Sequence, residues 1–199
     1  VLSRYALAAH NTNADNLIRL TADCPLIDAK VIDQAIKKFQ KDKCDYLSNT
    51  VNRTFPDGLD VEIFSGVALK RAYLEAKHPF LKEHVTPYIH GNVPKGIQAG
   101  NFKTKQFINE KDYSSIRITL DRYEDLVLIR KIFFNLKGLC TWQEVIDFIK
   151  KNPRLKKINS HIKTNEGSKI SMSSIKNSTK KKYSFDKSKI LFKKAIKVI

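Results

Sequence analysis

Two aspartates stand where open α/β folds do their chemistry. Asp23 follows the short apolar run Asn16-Leu17-Ile18-Arg19-Leu20-Thr21, and Asp121 follows Ile116-Arg117-Ile118-Thr119-Leu120. If both runs are strands, both carboxylates lie just beyond strand carboxyl ends, which is where ligands sit in such sheets. Paired carboxylates there suit a hard, oxygen-liganded cation such as Mg2+, which takes one or two carboxylates and completes its shell with phosphate oxygens. The same positions admit plainer roles, Asp23 as a turn residue and Asp121 as the N-cap of a following helix, and spacing alone leaves both open.

A second acidic patch is Asp57-Gly58-Leu59-Asp60-Val61-Glu62. Asp57-Gly58 is a turn signal. Asp60 and Glu62 alternate with Leu59, Val61 and Ile63, so they are expected to share one face of a strand. On an outer strand that face is simply wet; beside a crevice it could bind sugar hydroxyls. His84, in Glu83-His84-Val85-Thr86-Pro87-Tyr88, has no Ser or Cys nucleophile beside it and reads first as a hydrogen-bonded structural residue. His10, His78, His90 and His161 show no ligand spacing. Neither G-x-G-x-x-G nor G-x-x-x-x-G-K-S/T occurs.

The elements that must position these groups follow from periodicity. Residues 2–9 carry apolar positions at helical spacing, so the chain opens inside an element and is expected to be an internal piece of a longer polypeptide. Pro25 ends the first strand by Asp23, and Asp28 can cap a helix running to Lys41, with Val31, Ile32, Ala35, Ile36 and Phe39 inward. Cys44 to Ser48 and Leu59 to Phe64 read as strands, and Ser65 caps a helix to about Lys77. Phe80 to His90 reads as a helix that Pro87 kinks or ends, followed by a loop from Gly91 to Gly100. Phe102 to Asn109 and Ser115 to Leu120 read as strands. Tyr123 to Leu136 is a helix with Leu126, Ile129, Ile132 and Phe133 inward, and Thr141-x-x-Glu144 is a capping box for a helix through Lys150. Strands alternating with helices predict a layered α/β domain with a largely parallel sheet.

The 199 residues carry 37 Lys+Arg against 20 Asp+Glu, but the excess is local. Residues 150–199 hold 16 basic and two acidic residues, leaving 21 basic and 18 acidic in residues 1–149. The chain's basic residues are 29 Lys to 8 Arg, whereas readers of phosphates and grooves favour the guanidinium fork, which counts against the basic tail as such a reader. The tail reads as compositional bias and a solvated linker, with a nucleic-acid binding module that uses this tail as the lesser alternative and no specific nucleic-acid partner expected. Cys24, Cys44 and Cys140 are odd in number and widely spaced, which argues against a disulfide framework or a zinc site. No apolar run approaches the roughly 20 residues of a membrane span and no signal peptide is evident, so a soluble, cytoplasmic protein without a membrane partner is expected.

Four ordered blocks carry a resemblance. Arg19-Leu20-Thr21-Ala22-Asp23-Cys24-Pro25-Leu26-Ile27-Asp28 resembles the R-x-T-G-D-C-P-L-I-D signature of cytidylyltransferases related to the spore coat polysaccharide biosynthesis protein F and, more distantly, to acylneuraminate and 3-deoxy-manno-octulosonate cytidylyltransferases. Phe55-Pro56-Asp57-Gly58-Leu59-Asp60-Val61-Glu62-Ile63-Phe64 is similar to Y-P-x-G-L-D-V-E-V-F, and Lys82-Glu83-His84-Val85-Thr86-Pro87-Tyr88 to R-E-H-V-T-P-Y. Arg117-Ile118-Thr119-Leu120-Asp121-Arg122-Tyr123-Glu124-Asp125-Leu126 is similar to R-L-T-V-D-x-x-E-D-L.

This resemblance implies a Rossmann-like, three-layer α/β nucleotidyltransferase domain over residues 1–151. It implies transfer of CMP from CTP to a sugar hydroxyl in surface polysaccharide biosynthesis, with Mg2+ on Asp23 and Asp121. Arg19, Asp60, Glu62 and His84 then fall on the substrate side. Two departures stand out. The family's opening strand and Gly, Arg and Lys-rich loop, which cradle the triphosphate, do not precede Val1, so the chain as given is expected to be inactive, with a degenerate nucleotide-sugar binding domain as the alternative. Ala22 stands where the family usually has Gly. Residues 152–182 are Lys, Ser and Asn rich and read as a disordered linker. Residues 183–199 resemble the opening helix of class III aminotransferases of the glutamate-1-semialdehyde type, implying a fused domain further on that would carry pyridoxal phosphate.

Overall fold

The computed structural model of the chain describes residues 1–137 and 140–162. In chain order these form α1 (Leu2–Thr12), β1 (Asn16–Arg19), α2 (Ala29–Asp42), β2 (Tyr46–Ser48), β3 (Glu62–Ser65), α3 (Gly66–Glu75), α4 (Pro79–His84) and α5 (Pro87–His90). The order continues with β4 (Thr104–Gln106), α6 (Tyr123–Leu136), α7 (Trp142–Lys151) and α8 (Pro153–Lys156). They divide into two compact units: Val1–Leu17 with Ser65–Phe102, and Ile18–Phe64 with the described residues from Lys103 onward.

The first unit is helical, and α1 packs on α3 and α4. Ser65 Oγ caps α3 by accepting from Ala68 N at 3.1 Å. Gly66 must be glycine there: its N–H reaches Asp15 O at 2.7 Å, and a Cβ would lie 2.5 Å from Ala14 O. The helix expected over Phe80–His90 divides into two. Pro87 has no N–H to donate back and its ring would meet the carbonyl one turn earlier, so α4 ends at His84 and Pro87 opens α5 instead. Val85 between them takes φ +70°, a rare conformation for a β-branched residue, closed by Thr86 N to His84 O at 2.8 Å.

The sheet order is β1-β3-β2-β4. It is mixed rather than largely parallel: β2 pairs antiparallel with β3 (Leu47 opposite Ile63) and parallel with β4 (Leu47 opposite Lys105). No helix lies between β2 and β3, so the chain returns beside itself in the opposite sense. The strand expected from Leu59 starts only at Glu62, because the buried Asn49 side chain replaces the ladder before it. Asn49 Nδ2 donates to Leu59 O at 2.6 Å and Asn49 Oδ1 accepts from Val61 N at 2.9 Å. Of the strand expected over Phe102–Asn109, only β4 forms. Ser115–Leu120 forms no ladder, only a single parallel bridge between Asp57 and Arg117.

In the second unit α2, α6 and α7 close one core with β2 and β3. Val31, Ala35 and Phe39 of α2 meet Leu128, Ile129 and Ile132 of α6, and Trp142, Val145, Ile146 and Ile149 of α7. The inward face of α6 is therefore Asp125, Leu128, Ile129 and Ile132, at i, i+3, i+4 and i+7. Phe133, expected inward, is 39% exposed, because an aspartate holds an inward position that a count of apolar residues skips. Asp28 joins two helices: Oδ1 accepts from Lys30 N at 2.7 Å to cap α2, and Oδ2 accepts from Trp142 N at 2.9 Å at the start of α7.

The folded unit continues past Lys151 into α8, where Leu155 and Ile158 pack on the core and Asn159 is buried. These are the first residues of the stretch read as linker; the remainder of that stretch and the expected aminotransferase start at 183–199 lie outside the described residues. Among the described residues no helix is long and apolar enough to cross a membrane.

Candidate active site

Asp23 sits in the loop after β1, in a turn closed by Cys24 N to Thr21 O at 3.2 Å and followed by Ile27 N to Cys24 O at 3.1 Å. Its backbone carbonyl accepts two bonds from one passing segment, Leu120 N at 2.8 Å and Thr119 Oγ1 at 2.9 Å. The residue after Leu120 is Asp121. The two aspartates singled out from sequence, 98 positions apart, thus stand on segments fastened to each other. The half-buried Asp23 carboxylate has Cys24 Sγ beside Oδ1 at 3.7 Å.

Asp121 is not the N-cap of α6; Arg122 is. Its side chain is half exposed and is held by Arg117, whose Nη2 donates to Asp121 Oδ2 at 2.6 Å. Arg117 itself is 9% exposed and has two further carboxylates. Nε and Nη2 fork onto Asp125 Oδ1 and Oδ2 at 2.9 and 2.8 Å, and Nη1 donates to Asp57 Oδ2 at 3.2 Å. Burial opposes the guanidinium charge, but Asp125 and Asp121 outweigh it and hold Arg117 firmly protonated. Asp125 is fully buried. Its Oδ2 also accepts from Asp121 N and Arg122 N, each at 3.0 Å. Burial pushes its pKa up, yet Arg117, Asn159 and these two N–H groups bring it below the usual carboxylate value.

The network runs on. Arg53 Nη1 lies 3.5 Å from Asp57 Oδ1, and its Nη2 donates to Asp60 Oδ2 at 2.9 Å. Asp60, Arg53, Asp57, Arg117 and Asp121 therefore form a row of alternating charge linking the two acidic patches. Glu62 does not share it. Buried on β3, it is bound by Arg19 Nη1 and accepts from Tyr46 OH at 2.6 Å. Burial and the Glu62 charge push the Tyr46 phenol well above its ordinary value. Asp60 and Glu62, expected on one strand face, instead have different partners, because Asp60 precedes β3. Arg19 and Glu62 come together as a pair. His84 belongs to the helical unit, where its ring lies on Phe80 with centroids 4.6 Å apart.

No role was legible for Arg117, Asp125, Arg53 or Asn159, although Arg117 and Asp125 stand inside a family block, and Asp57 read only as a turn residue. One signal was present: a lone Arg inside the apolar run Ile116–Leu120 must be buried with carboxylates or not at all. Asn159 lay in the stretch read as linker. Among the described residues no three His, Cys, Asp or Glu groups converge as a closed metal cage. Asp23 and Asp121 carry carboxylate oxygens, the hard donors of which a divalent cation takes one or two before a ligand's own oxygens complete its shell.

Helices alternating with a mixed sheet make this an α/β domain of the Rossmann-like kind. The chain belongs to the cytidylyltransferase family, whose model, described as Cytidylyltransferase, matches residues 1–167. It is 34% identical to a solved cytidylyltransferase from Leptospira borgpetersenii serovar Hardjo-bovis, with a TM-score of 0.70, over 77% of this chain and 63% of that one. It is also 32% identical over 165 residues to an uncharacterized protein of Methanocaldococcus jannaschii, covering 82% of this chain and 65% of that protein. The chain thus spans a little under two thirds of the length of either.

Proposed function

We propose that this domain serves the transfer of CMP from CTP to a sugar hydroxyl, as part of surface carbohydrate synthesis. The observation that carries the reading is the tie between Asp23 O and Leu120 N, which keeps the Asp23 and Asp121 carboxylates on adjacent segments. In the proposed reaction the sugar hydroxyl oxygen forms a bond to the α-phosphorus and releases its proton to water, the bond from that phosphorus to the bridging oxygen breaks, and pyrophosphate leaves. Asp23 and Asp121 would hold Mg2+, which when bound neutralises charge on the phosphate oxygens.

The protein's own work is positioning. Arg117 fixes Asp121 through one oxygen and leaves the other for a ligand; Asp125 and Asp57 fix Arg117. The half-buried Asp60, oriented by Arg53, stands on the acceptor side and can receive hydroxyl protons as hydrogen bonds. Arg19, Glu62 and His84 stay assigned to the substrate side on the strength of the family motifs. A sugar acceptor and a fused aminotransferase likewise rest on resemblance.

The test is Mg2+-dependent pyrophosphate release from CTP and acceptor sugars by the full gene product. Asp23→Asn and Asp121→Asn should each lower the rate at least a hundredfold with thermal stability retained. Near-normal rates in both variants would overturn the reading.

A further inference from the structure

We infer that Asn159 is a positioning residue of the carboxylate site, acting on Asp121 through Asp125 and Arg117. The inference rests on the reading that Asp23 and Asp121 together hold a divalent cation. Asn159 lies just beyond α8, 2% exposed, in a turn closed by Ile162 N to its own carbonyl at 3.0 Å. Its Nδ2 group has two N–H bonds and two acceptors, Asp125 Oδ1 at 2.8 Å and the Arg117 carbonyl at 3.1 Å. One amide therefore touches both members of the buried fork, the acid by its side chain and the base by its backbone.

The consequence follows from which atoms are shared. Asp125 Oδ1 accepts from Asn159 and from Arg117 Nε, while Asp125 Oδ2 accepts from Arg117 Nη2 and from Asp121 N. Fixing the Asp125 carboxylate in rotation thus fixes both the Nη2 that holds the Asp121 carboxylate and the backbone N–H from which that side chain departs. A segment more than 35 residues beyond Asp121 in sequence sets the direction of its carboxylate. Leu155, one turn earlier on α8, packs on the same core but bonds to none of these groups, so it separates anchoring of the segment from positioning of the site. Geometry at this level matters because a displacement of about 1 Å in a catalytic constellation costs on the order of a hundredfold in rate.

The experiment is NMR on the whole chain, reading the Arg117 guanidinium signals and the line broadening caused by added Mn2+ alone. Asn159→Leu keeps the side-chain size and removes both donors; Asn159→Ser keeps one donor and serves if the first variant does not fold. Leu155→Ala is the control for lost anchoring, and Asp23→Asn and Asp121→Asn establish where Mn2+ binds. The expected result is that the Asn159 variant averages the resolved guanidinium signals and raises the Mn2+ midpoint about tenfold, while Leu155→Ala lowers thermal stability and moves neither. An Asn159 variant that shifts the Mn2+ midpoint no more than Leu155→Ala, or leaves the guanidinium signals intact, overturns the inference. Broadening in the unmodified chain that ignores Asp23→Asn and Asp121→Asn overturns instead the cation reading on which it stands.

Discussion

Asp57 and Arg117 are partners twice over. Their backbones form an isolated parallel bridge, with Asp57 N to Ile116 O at 2.9 Å and Ile118 N to Asp57 O at 2.7 Å, and their side chains meet at 3.2 Å. The double contact draws the turn of one acidic patch onto the segment that ends in Asp121.

Removing the guanidinium leaves buried carboxylates without a counter-charge. Arg117→Met should therefore destabilise the chain by about 3 to 5 kcal/mol. Asp121→Asn, at a half-exposed end of the network, should cost under about 1 kcal/mol. Urea unfolding of both variants at neutral pH measures the contrast, and similar losses would contradict the ranking.

Gly58 holds φ +118°, and a Cβ there would lie 2.6 Å from the Ile118 carbonyl carbon and from Thr119 N. Those are backbone atoms that no rotamer change can move. Gly58→Ala should cost about 2 to 4 kcal/mol and push the segment bearing Asp121 away from Asp23. Hydrogen exchange at Leu120 N, whose bond to Asp23 O must then loosen, is the direct readout.

Asp28 serves two helices with its two carboxylate oxygens. Asp28→Ala removes the cap of α2 and strands the buried N–H of Trp142, for a loss of about 2 to 4 kcal/mol. Thermal melting should also show Trp142 fluorescence changing with the global transition, since that indole lies in the core against Phe55 at 5.7 Å.

Cys24 gives the pH prediction. Burial pushes its thiol from 9.0 up to about 11, with the Thr21 hydrogen bond opposing and the Asp60 and Asp23 charges adding. At pH 8 its thiolate fraction falls about a hundredfold below that of an ordinary thiol, and alkylation should slow in proportion. Because the native value is raised, the associated stability is fully present below pH 9 and is lost as pH rises towards 11. Absorbance of the thiolate followed against pH, compared with Cys24→Ser, isolates the group.

Most helix limits were legible because caps and periodicity are local, the division of Phe80–His90 at Val85 being the exception. Tyr123–Leu136 and the Thr141 capping box came directly from the sequence pattern, and Asp28 and Ser65 cap as expected. Asp23 was legible as an acid in the loop after β1, whereas Asp121 follows no strand, only the isolated bridge at Arg117. What was not legible depends on distant pairing: Asn49 standing in for a strand, and Asp57 and Arg117, 60 residues apart, closing the charge row. Residues 152–182 read as linker from their Lys, Ser and Asn content, whereas Pro153 at the first position of a helix is a start, and the compositional reading hid Asn159.

The row of ions ends with a charge surplus. Asp57, Asp60, Asp121 and Asp125 set four negative charges against Arg53 and Arg117, a net of −2, and the Asp23 carbonyl is tied to Leu120 N, one residue before Asp121. On the proposed reading, the roughly four negative charges of a nucleoside triphosphate would add to this surplus, and a bound divalent cation would offset both.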